Sequence, residues 1–99
     1  MKLLYPASFY PCEDKPGAYT VTVPDPPGCI SEGDTLEEAL VMATDAASGW
    51  VLDEIEDGYP LPPASEVTDI QTDSTDGFIK MLVLDMDAYA EKQENREQA

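Results

Sequence analysis

The sequence predicts an α+β domain in which an antiparallel sheet of three to four strands packs against one long helix, in the order β-β-β-α-β. Residues 18–23 (Ala-Tyr-Thr-Val-Thr-Val) alternate apolar and polar side chains with the period of two that is typical of a half-buried strand. Residues 36–55 place apolar side chains three and four positions apart, the spacing of a helix with one buried face. Residues 78–85 form a nearly continuous apolar run, which indicates a strand in the centre of the sheet.

The N-terminal part predicts a hairpin and a third strand. Residues 2–10 are mostly apolar and aromatic, so they are expected to form the first strand, and Pro6 places that strand at an edge or gives it a bulge. The Asp-Lys-Pro-Gly sequence at residues 14–17 is typical of a turn, and the second strand follows it as an antiparallel neighbour. A short strand over residues 29–32 comes after a proline-rich turn at residues 24–28.

The long helix has recognisable start and stop signals. Thr35 is expected to be its N-cap, with Glu38 three residues later in the spacing of a capping box. Gly49 disfavours the helix and predicts either a close backbone approach or a local weakness, and Gly58 ends the helix. The side chains expected to face the sheet are Leu36, Leu40, Ala43, Ala47, Trp50, Val51 and Ile55.

Length and charge limit what the chain does. Its 99 residues allow a single domain, assigned to residues 1–86, followed by a charged helix or linker over residues 87–99. Five Lys and Arg stand against 21 Asp and Glu, a formal net charge of −16, so we expect a basic partner and no binding of nucleic acid by this segment alone. Neither a signal peptide nor a membrane-spanning segment is recognisable, which predicts a cytoplasmic protein that does not associate with membranes.

The residue types also argue against an enzyme. The chain contains no histidine, which excludes catalysis by Ser–His or Cys–His pairs. Cys12 lies beside acidic neighbours that disfavour a thiolate, and Cys29 follows the proline-rich turn, so both are expected to have packing roles. Carboxylates remain as ligands for a divalent metal, but the spacing of a calcium-binding loop is absent. We therefore expect no catalytic residue, no metal site and no cofactor.

Four short motifs follow one another along the chain: Tyr-Pro-Ala at residues 5–7, Pro-Asp-Pro-Pro-Gly at residues 24–28, Gly-Asp-Thr-Leu-Glu-Glu-Ala at residues 33–39 and Leu-Pro-Pro-Ala-Ser at residues 61–65. Their order and spacing resemble those of the HicB family, which are antitoxins of toxin–antitoxin systems. The positions that this resemblance marks as defining the fold are Tyr19, Pro24, Asp25, Gly28, Gly33, Asp34, Thr35, Glu38 and Ala39.

The resemblance implies a partial RNase H-like domain without nuclease activity. Proteins of this family bind HicA, a small basic ribonuclease with the fold of double-stranded-RNA-binding domains, and cover its catalytic histidine. Longer members continue into a DNA-binding domain that dimerises on the operon's promoter. We therefore expect neutralisation of a HicA-type mRNA-cleaving toxin, and contact with operator DNA only through a C-terminal domain that residues 1–99 lack.

The net charge indicates exposed carboxylates as the toxin contacts. Homo-oligomers are also expected if the first strand leaves an open sheet edge. Two alternatives stay open, namely a Mg²⁺-dependent RNase H-like nuclease and an acidic decoy that mimics DNA. The predicted contact residues, near the ends of the sheet and of the helix, are Asp25, Glu32, Asp34, Glu37, Asp53 and Glu54.

Overall fold

A computed structural model describes residues 1–26, 29–66 and 77–98 and contains four strands and two helices. The elements are β1 (Lys2–Pro11), β2 (Tyr19–Val23), β3 (Cys29–Gly33), α1 (Leu36–Asp57), β4 (Phe78–Asp85) and α2 (Met86–Gln98). The strands form one antiparallel sheet in the order β3-β2-β1-β4. This arrangement confirms the predicted α+β class, and α2 follows the predicted β-β-β-α-β unit. Gly28, which was expected to shape the proline-rich turn, lies outside the described residues.

Strand β1 lies inside the sheet and its pairing with β4 runs through Pro6 without interruption, so neither the predicted edge position nor the alternative of a bulge is found. It pairs with β4 over residues 2–9 and with β2 over residues 8–11. Pro6 lies in the half of β1 that pairs with β4 but not with β2. Since that part of the strand has a neighbour on one side, the missing N–H donor of a proline is tolerated there, as it is on an edge strand.

Strand β4 is at the end of the sheet, although its apolar run predicted a central position. Leu82 and Leu84 are buried, whereas Met81 and Val83 between and beside them are exposed. The alternation shows that one face of β4 contributes to the core and the other face is open. The apolar run therefore reflects an uncovered apolar surface and not burial on both faces.

The core lies between the sheet and α1, and it combines large side chains from the sheet with small ones from the helix. Phe9, Val21 and Leu82 are fully buried on the sheet side. The helix faces them with Ala39, Ala43, Ala47, Ser48 and Val51.

The apolar face predicted for α1 is confirmed in part, because Ala43, Ala47 and Val51 are buried and Leu40 and Trp50 pack half-buried against the core. Leu36 and Ile55, expected to face the sheet, are each more than one third exposed. At its start, α1 lies close to the end of β3, since an added Cβ on Gly33 would lie 2.3 Å from the backbone nitrogen of Ala39. Only the alanine face lets the helix lie this near to β3.

Three aromatic rings connect the strands at one end of the sheet. Phe78 stacks on Phe9 with ring centroids 5.3 Å apart, and Tyr19 meets Phe78 edge-on at 5.8 Å. These are the geometries that aromatic pairs prefer, because ring faces are negative and ring edges are positive. Tyr19, marked by the family resemblance, thereby contacts a strand that is not its direct neighbour.

The close approach at Gly49 is made by a side chain of α2, whereas a backbone approach was predicted. An added Cβ on Gly49 would lie 3.1 Å from the hydroxyl oxygen of Tyr89, which is tighter than ordinary van der Waals contact. The glycine thus leaves room for the tyrosine ring where the two helices meet. Neither helix, over the residues that the structure describes, is long and apolar enough to cross a membrane.

The N-cap of α1 is Thr35, as predicted, and the helix ends at Gly58, which has a left-handed backbone with φ of 77°. The Thr35 hydroxyl accepts a hydrogen bond from the backbone N–H of Glu38 over 3.1 Å. We expect Thr35→Ala to lower the free energy of unfolding by about 1 kcal/mol, because this N–H loses its partner. Thr35→Ser retains the acceptor and should differ little from the wild type. Urea unfolding followed by circular dichroism measures both, and equal losses in the two variants would contradict the capping role.

Candidate partner-binding surface

An acidic cleft lies where the β1–β2 loop, the end of β3 and the start of α1 meet. It has a volume of about 480 Å³. Four carboxylates and one lysine are among its lining residues: Asp14, Glu32, Asp34, Glu38 and Lys15. We call these five residues the acidic cleft.

The backbone around Gly33 brings these groups together. Tyr19 pairs with Gly33 in the β2–β3 register, so the loop before β2 lies beside the end of β3. The chain then passes directly into α1. Gly33 lies so close to the backbone of Ala39 that a side chain at position 33 would not fit. Glu32 and Asp34 therefore flank a fixed point, next to the first turn of the helix.

Negative charge dominates the acidic cleft despite its lysine. The ammonium of Lys15 forms an exposed ion pair with the carboxylate of Asp34, with an N–O distance of 2.5 Å. Its hydrogen bond to Asp34, followed by the charges of Asp34, Glu38 and Glu32, raises the pKa of Lys15 above its usual value. Three of the four carboxylates thus have no ion pair among the described residues. The surface suits a partner that brings its own lysines or arginines.

The acidic cleft is not arranged as a metal centre. Among residues 1–26, 29–66 and 77–98, no group of three or more Asp, Glu, Cys or His side chains is placed to hold a metal ion. The carboxylates line an open depression instead of converging on one point. Their geometry fits contact with several cationic side chains spread over a protein surface.

The predicted contact residues fall into three groups. Glu32 and Asp34 line the acidic cleft, and Glu37 is exposed on the adjoining first turn of α1. Asp53 and Glu54 are near the other end of α1, about 24 Å further along at 1.5 Å per residue. Asp53 is exposed, whereas Glu54 is half-buried, which corrects the expectation that it is exposed.

Asp25 was also expected to be exposed, but it is half-buried and forms hydrogen bonds within the domain. Its carboxylate accepts hydrogen bonds from the backbone N–H of Ser65 at 3.0 Å and from the Ser65 hydroxyl at 2.6 Å. Nearby, the Tyr5 hydroxyl donates to the carbonyl of Pro62 at 2.7 Å. Burial, with a smaller contribution from the charge of Asp25, raises the pKa of Tyr5. These bonds fasten the segment after α1 to the sheet.

Sequence reasoning did not identify Asp14, Lys15 and Glu38 as lining residues of the acidic cleft. The first two were predicted as part of a turn, and Glu38 as a capping residue. Their shared location follows from the β2–β3 register, which no local pattern contains. The available signal was the group of acids within residues 32–37, of which Glu32 and Asp34 line the cleft and Glu37 lies beside it on the first turn of α1.

Both cysteines are free thiols with local packing partners. The Cys12 sulfur lies 3.5 Å from the Thr20 hydroxyl oxygen. Cys29 is half-buried against the core, and this burial raises the pKa of its thiol. A raised pKa lowers the thiolate fraction, which is the reactive form. The structure therefore gives Cys29 the packing role that was expected of it.

Comparison with known sequences places this chain among bacterial antitoxins. Residues 5–97 match a family model described as the HicB-like antitoxin of a bacterial toxin–antitoxin system. An uncharacterized 14.9 kDa protein of Haemophilus phage HP1 is 40% identical over 65 residues, 66% of this chain and 47% of that protein. Antitoxin HicB 1 of Photorhabdus laumondii is 50% identical over 42 residues, 42% of this chain and 26% of that protein. The matched parts therefore span at most about half of these relatives.

Solved structures share the fold over most of the chain. A toxin–antitoxin complex from Streptococcus pneumoniae contains a chain with a TM-score of 0.77 and 29% identity, matched over 90% of this chain and 73% of that one. The N-terminal domain of Burkholderia pseudomallei antitoxin HicB has a TM-score of 0.67 and 26% identity, over 80% of this chain and 94% of that domain. The fold described above is thus that of an antitoxin's N-terminal domain.

Proposed function

Because this chain belongs to the HicB-like antitoxin family of bacterial toxin–antitoxin systems, we propose that it binds a small basic HicA-type toxin and stops mRNA cleavage by covering the toxin's active site. The observation that carries the proposal is the acidic cleft, where four carboxylates face one lysine. The similarity to a chain of a solved toxin–antitoxin complex supports a toxin as the partner.

Electrostatics explains how such a domain finds its partner. The chain carries a formal net charge of −16, so a basic protein is attracted before any contact forms. Complementary charge of this kind accelerates association and disfavours partners of the same sign. The exposed acids of the cleft and of the first turn of α1 then provide the positions at which individual cationic side chains pair.

Covering the active site is the inhibition that suits a ribonuclease. An enzyme that cuts RNA presents positive charge to the phosphates of its substrate. An acidic domain that binds to the same positive charge excludes RNA both by occupying the site and by repelling the polyanion. Inhibition by this route needs no catalytic group in the antitoxin, in agreement with the proposed non-enzymatic role.

The direct test of partner and rival functions uses purified proteins. We expect the chain, co-expressed with the small basic protein encoded beside it, to copurify as a stoichiometric complex that persists at moderate salt. The nuclease alternative requires Mg²⁺-dependent cleavage of nucleic acid by the chain alone, and we expect none. The decoy alternative requires binding to many basic nucleic-acid proteins, with complete loss at moderate salt. Either result would replace the antitoxin proposal.

The position of the toxin contact is tested with two variants that change the net charge equally. The cleft variant removes three charges at the start of α1: Glu32→Gln, Asp34→Asn and Glu37→Gln. The matched control removes three at the end of α1: Asp53→Asn, Glu54→Gln and Glu56→Gln. We expect the cleft variant to weaken toxin binding at low salt by about tenfold more than the control, mainly through slower association. Surface plasmon resonance measures this, and equal losses would contradict a contact at the cleft.

The proposal places the protein in the cytoplasm, where its toxin would meet mRNA. The two free cysteines are compatible with a reducing compartment. We propose no contact between this segment and nucleic acid, because it has five basic residues against 21 acidic ones.

A further inference from the structure

The outward face of the first half of α1 carries two large apolar side chains among acids. Val41 is 64% exposed and Met42 is 49% exposed. Glu37 and Asp45 lie one turn before and one turn after Val41, and Glu38 lies one turn before Met42, so these side chains are neighbours on the helix surface. All three acids are exposed. We call these five residues the ridge.

The two apolar side chains of the ridge do not contribute to the core. The core receives Ala39, Ala43 and Ala47 from this half of the helix, and neither Val41 nor Met42 packs against it. Valine is also a poorer helix former than alanine, because its branched Cβ loses rotamer freedom in a helix. The stability of the domain therefore does not explain an exposed valine here. Apolar side chains surrounded by polar ones are typical of the centre of a protein–protein contact.

The ridge is held in place by strand β3. At the start of α1, Gly33 lies against the backbone of Ala39 without space for a side chain between them. Further along, the Ser31 hydroxyl donates a hydrogen bond to the backbone carbonyl of Met42 over 3.4 Å. A surface that is fixed before binding loses little conformational entropy when a partner covers it.

Two depressions flank the ridge. On one side is the acidic cleft, whose lining includes Glu38 and Met42. On the other side is a groove of about 430 Å³ between α1, β4 and α2, lined by Leu40 and Val41 among others. The ridge is thus continuous with the acidic cleft, and a partner that covers it can insert side chains on both sides.

The charge around the ridge is negative on both sides. Helix α1 contains no lysine or arginine. The charged side chains that line the groove are Asp45, Asp85 and Lys92, so acids outnumber bases there as they do in the acidic cleft. Helix α2 adds the exposed acids Asp87, which pairs with the N-terminal ammonium, and Glu91. A basic partner is therefore attracted to the ridge from either side, whereas an acidic one is repelled.

We propose that the ridge is the apolar centre of the toxin contact, covered by a toxin surface on which an apolar side chain is flanked by lysines or arginines. The inference rests on the proposed function, because it takes the basic toxin as the occupant. Val41 and Met42 pack against the apolar side chain, while the flanking cations pair with the acids of the ridge. The apolar pair then controls how slowly the complex dissociates, and the acids control how fast it forms.

The test is a double variant, Val41→Ala with Met42→Ala, which keeps the net charge and retains good helix formers. We expect its complex with the proposed HicA-type toxin to dissociate at least about tenfold faster than that of the wild type, with an association rate within about twofold. The loss should persist at high salt, unlike that of the cleft variant, because salt does not screen apolar contacts. Surface plasmon resonance measures both rates.

The matched control is Ile30→Ala with Met81→Ala. It also removes one β-branched side chain and one methionine, both of them exposed, from the edge strands β3 and β4. We expect its complex to dissociate at the rate of the wild type. Circular dichroism checks the fold of both double variants, and sedimentation velocity checks their oligomeric state without toxin.

The outcomes separate the ridge from the proposed function. If the wild type binds and inhibits the toxin but the Val41–Met42 variant dissociates no faster, the ridge contact is overturned and the proposed function stands. If the wild type binds no toxin, both are overturned. A variant that changes in oligomeric state while its toxin complex dissociates like the wild type would make a second copy the occupant, which also overturns the ridge contact.

Discussion

Gly33→Ala is expected to lower the free energy of unfolding by about 3 kcal/mol or more, the largest effect of any single substitution considered. An added Cβ would lie 2.3 Å from the backbone nitrogen of Ala39 and 2.7 Å from its Cα. Both atoms belong to the backbone of α1, so no flexible side chain can move aside. The helix would have to shift away from β3, and the small residues that face the sheet would lose their contacts.

A second glycine provides the control for this prediction. Gly58 has φ of 77°, but no atom lies within 4 Å of an added Cβ. Gly58→Ala should therefore cost about 1 kcal/mol, the conformational penalty of an alanine in the left-handed region. In a domain of this size the difference corresponds to at least about 8 °C in melting temperature. Differential scanning calorimetry measures both variants, and equal melting temperatures would show that the contact at Gly33 is not tight.

Asp25→Ala is expected to cost about 2 kcal/mol, because it removes both hydrogen bonds between the Asp25 carboxylate and Ser65. The loss leaves the half-buried backbone N–H of Ser65 without this acceptor and frees the segment after α1. Ser65→Ala removes the hydroxyl bond alone and should cost about 1 kcal/mol. The double variant should be about as unstable as Asp25→Ala, because the substitution of Asp25 already removes the hydrogen bond of the Ser65 hydroxyl. Urea unfolding of the four proteins gives the coupling energy.

The same variant distinguishes a structural role of Asp25 from the partner contact expected of it. With a structural role, Asp25→Ala lowers stability, and the protein that remains folded binds toxin with unchanged affinity. With a contact role, affinity falls and stability does not. Additive losses for Asp25→Ala and Ser65→Ala, together with weaker toxin binding, would support the contact role and contradict the assignment made from the structure.

Features fixed by neighbouring residues could be predicted from the sequence. The alternation in β2 and the capping residue Thr35 depend on local geometry, and both are present as predicted. The position of β4 could not be predicted, because a continuous apolar run occurs both in a covered central strand and in an edge strand with an open face. The buried face of α1 was predicted in part: Ala43, Ala47 and Val51 are buried as expected, whereas Ala39 and Ser48 were not expected there and Leu36 and Ile55 are exposed.

The candidate site was predictable to a similar extent. Glu32 and Asp34, two of the predicted contact residues, both line the acidic cleft, whereas Glu37 lies beside it on the first turn of α1. Asp14 and Lys15 join it only through the pairing of β2 with β3. The engagement of Asp25 with Ser65 links residues 40 positions apart, and no sequence pattern reveals such a bond.

Inhibition of the proposed HicA-type partner is measured most directly as the rate of RNA cleavage by that toxin, titrated with the purified chain. We expect a linear fall in the rate that reaches zero when chain and toxin are equimolar. The cleft variant should need a higher concentration at low salt, while the control variant from the end of α1 should follow the wild type more closely. Undiminished cleavage in the presence of excess folded chain would contradict inhibition by active-site coverage.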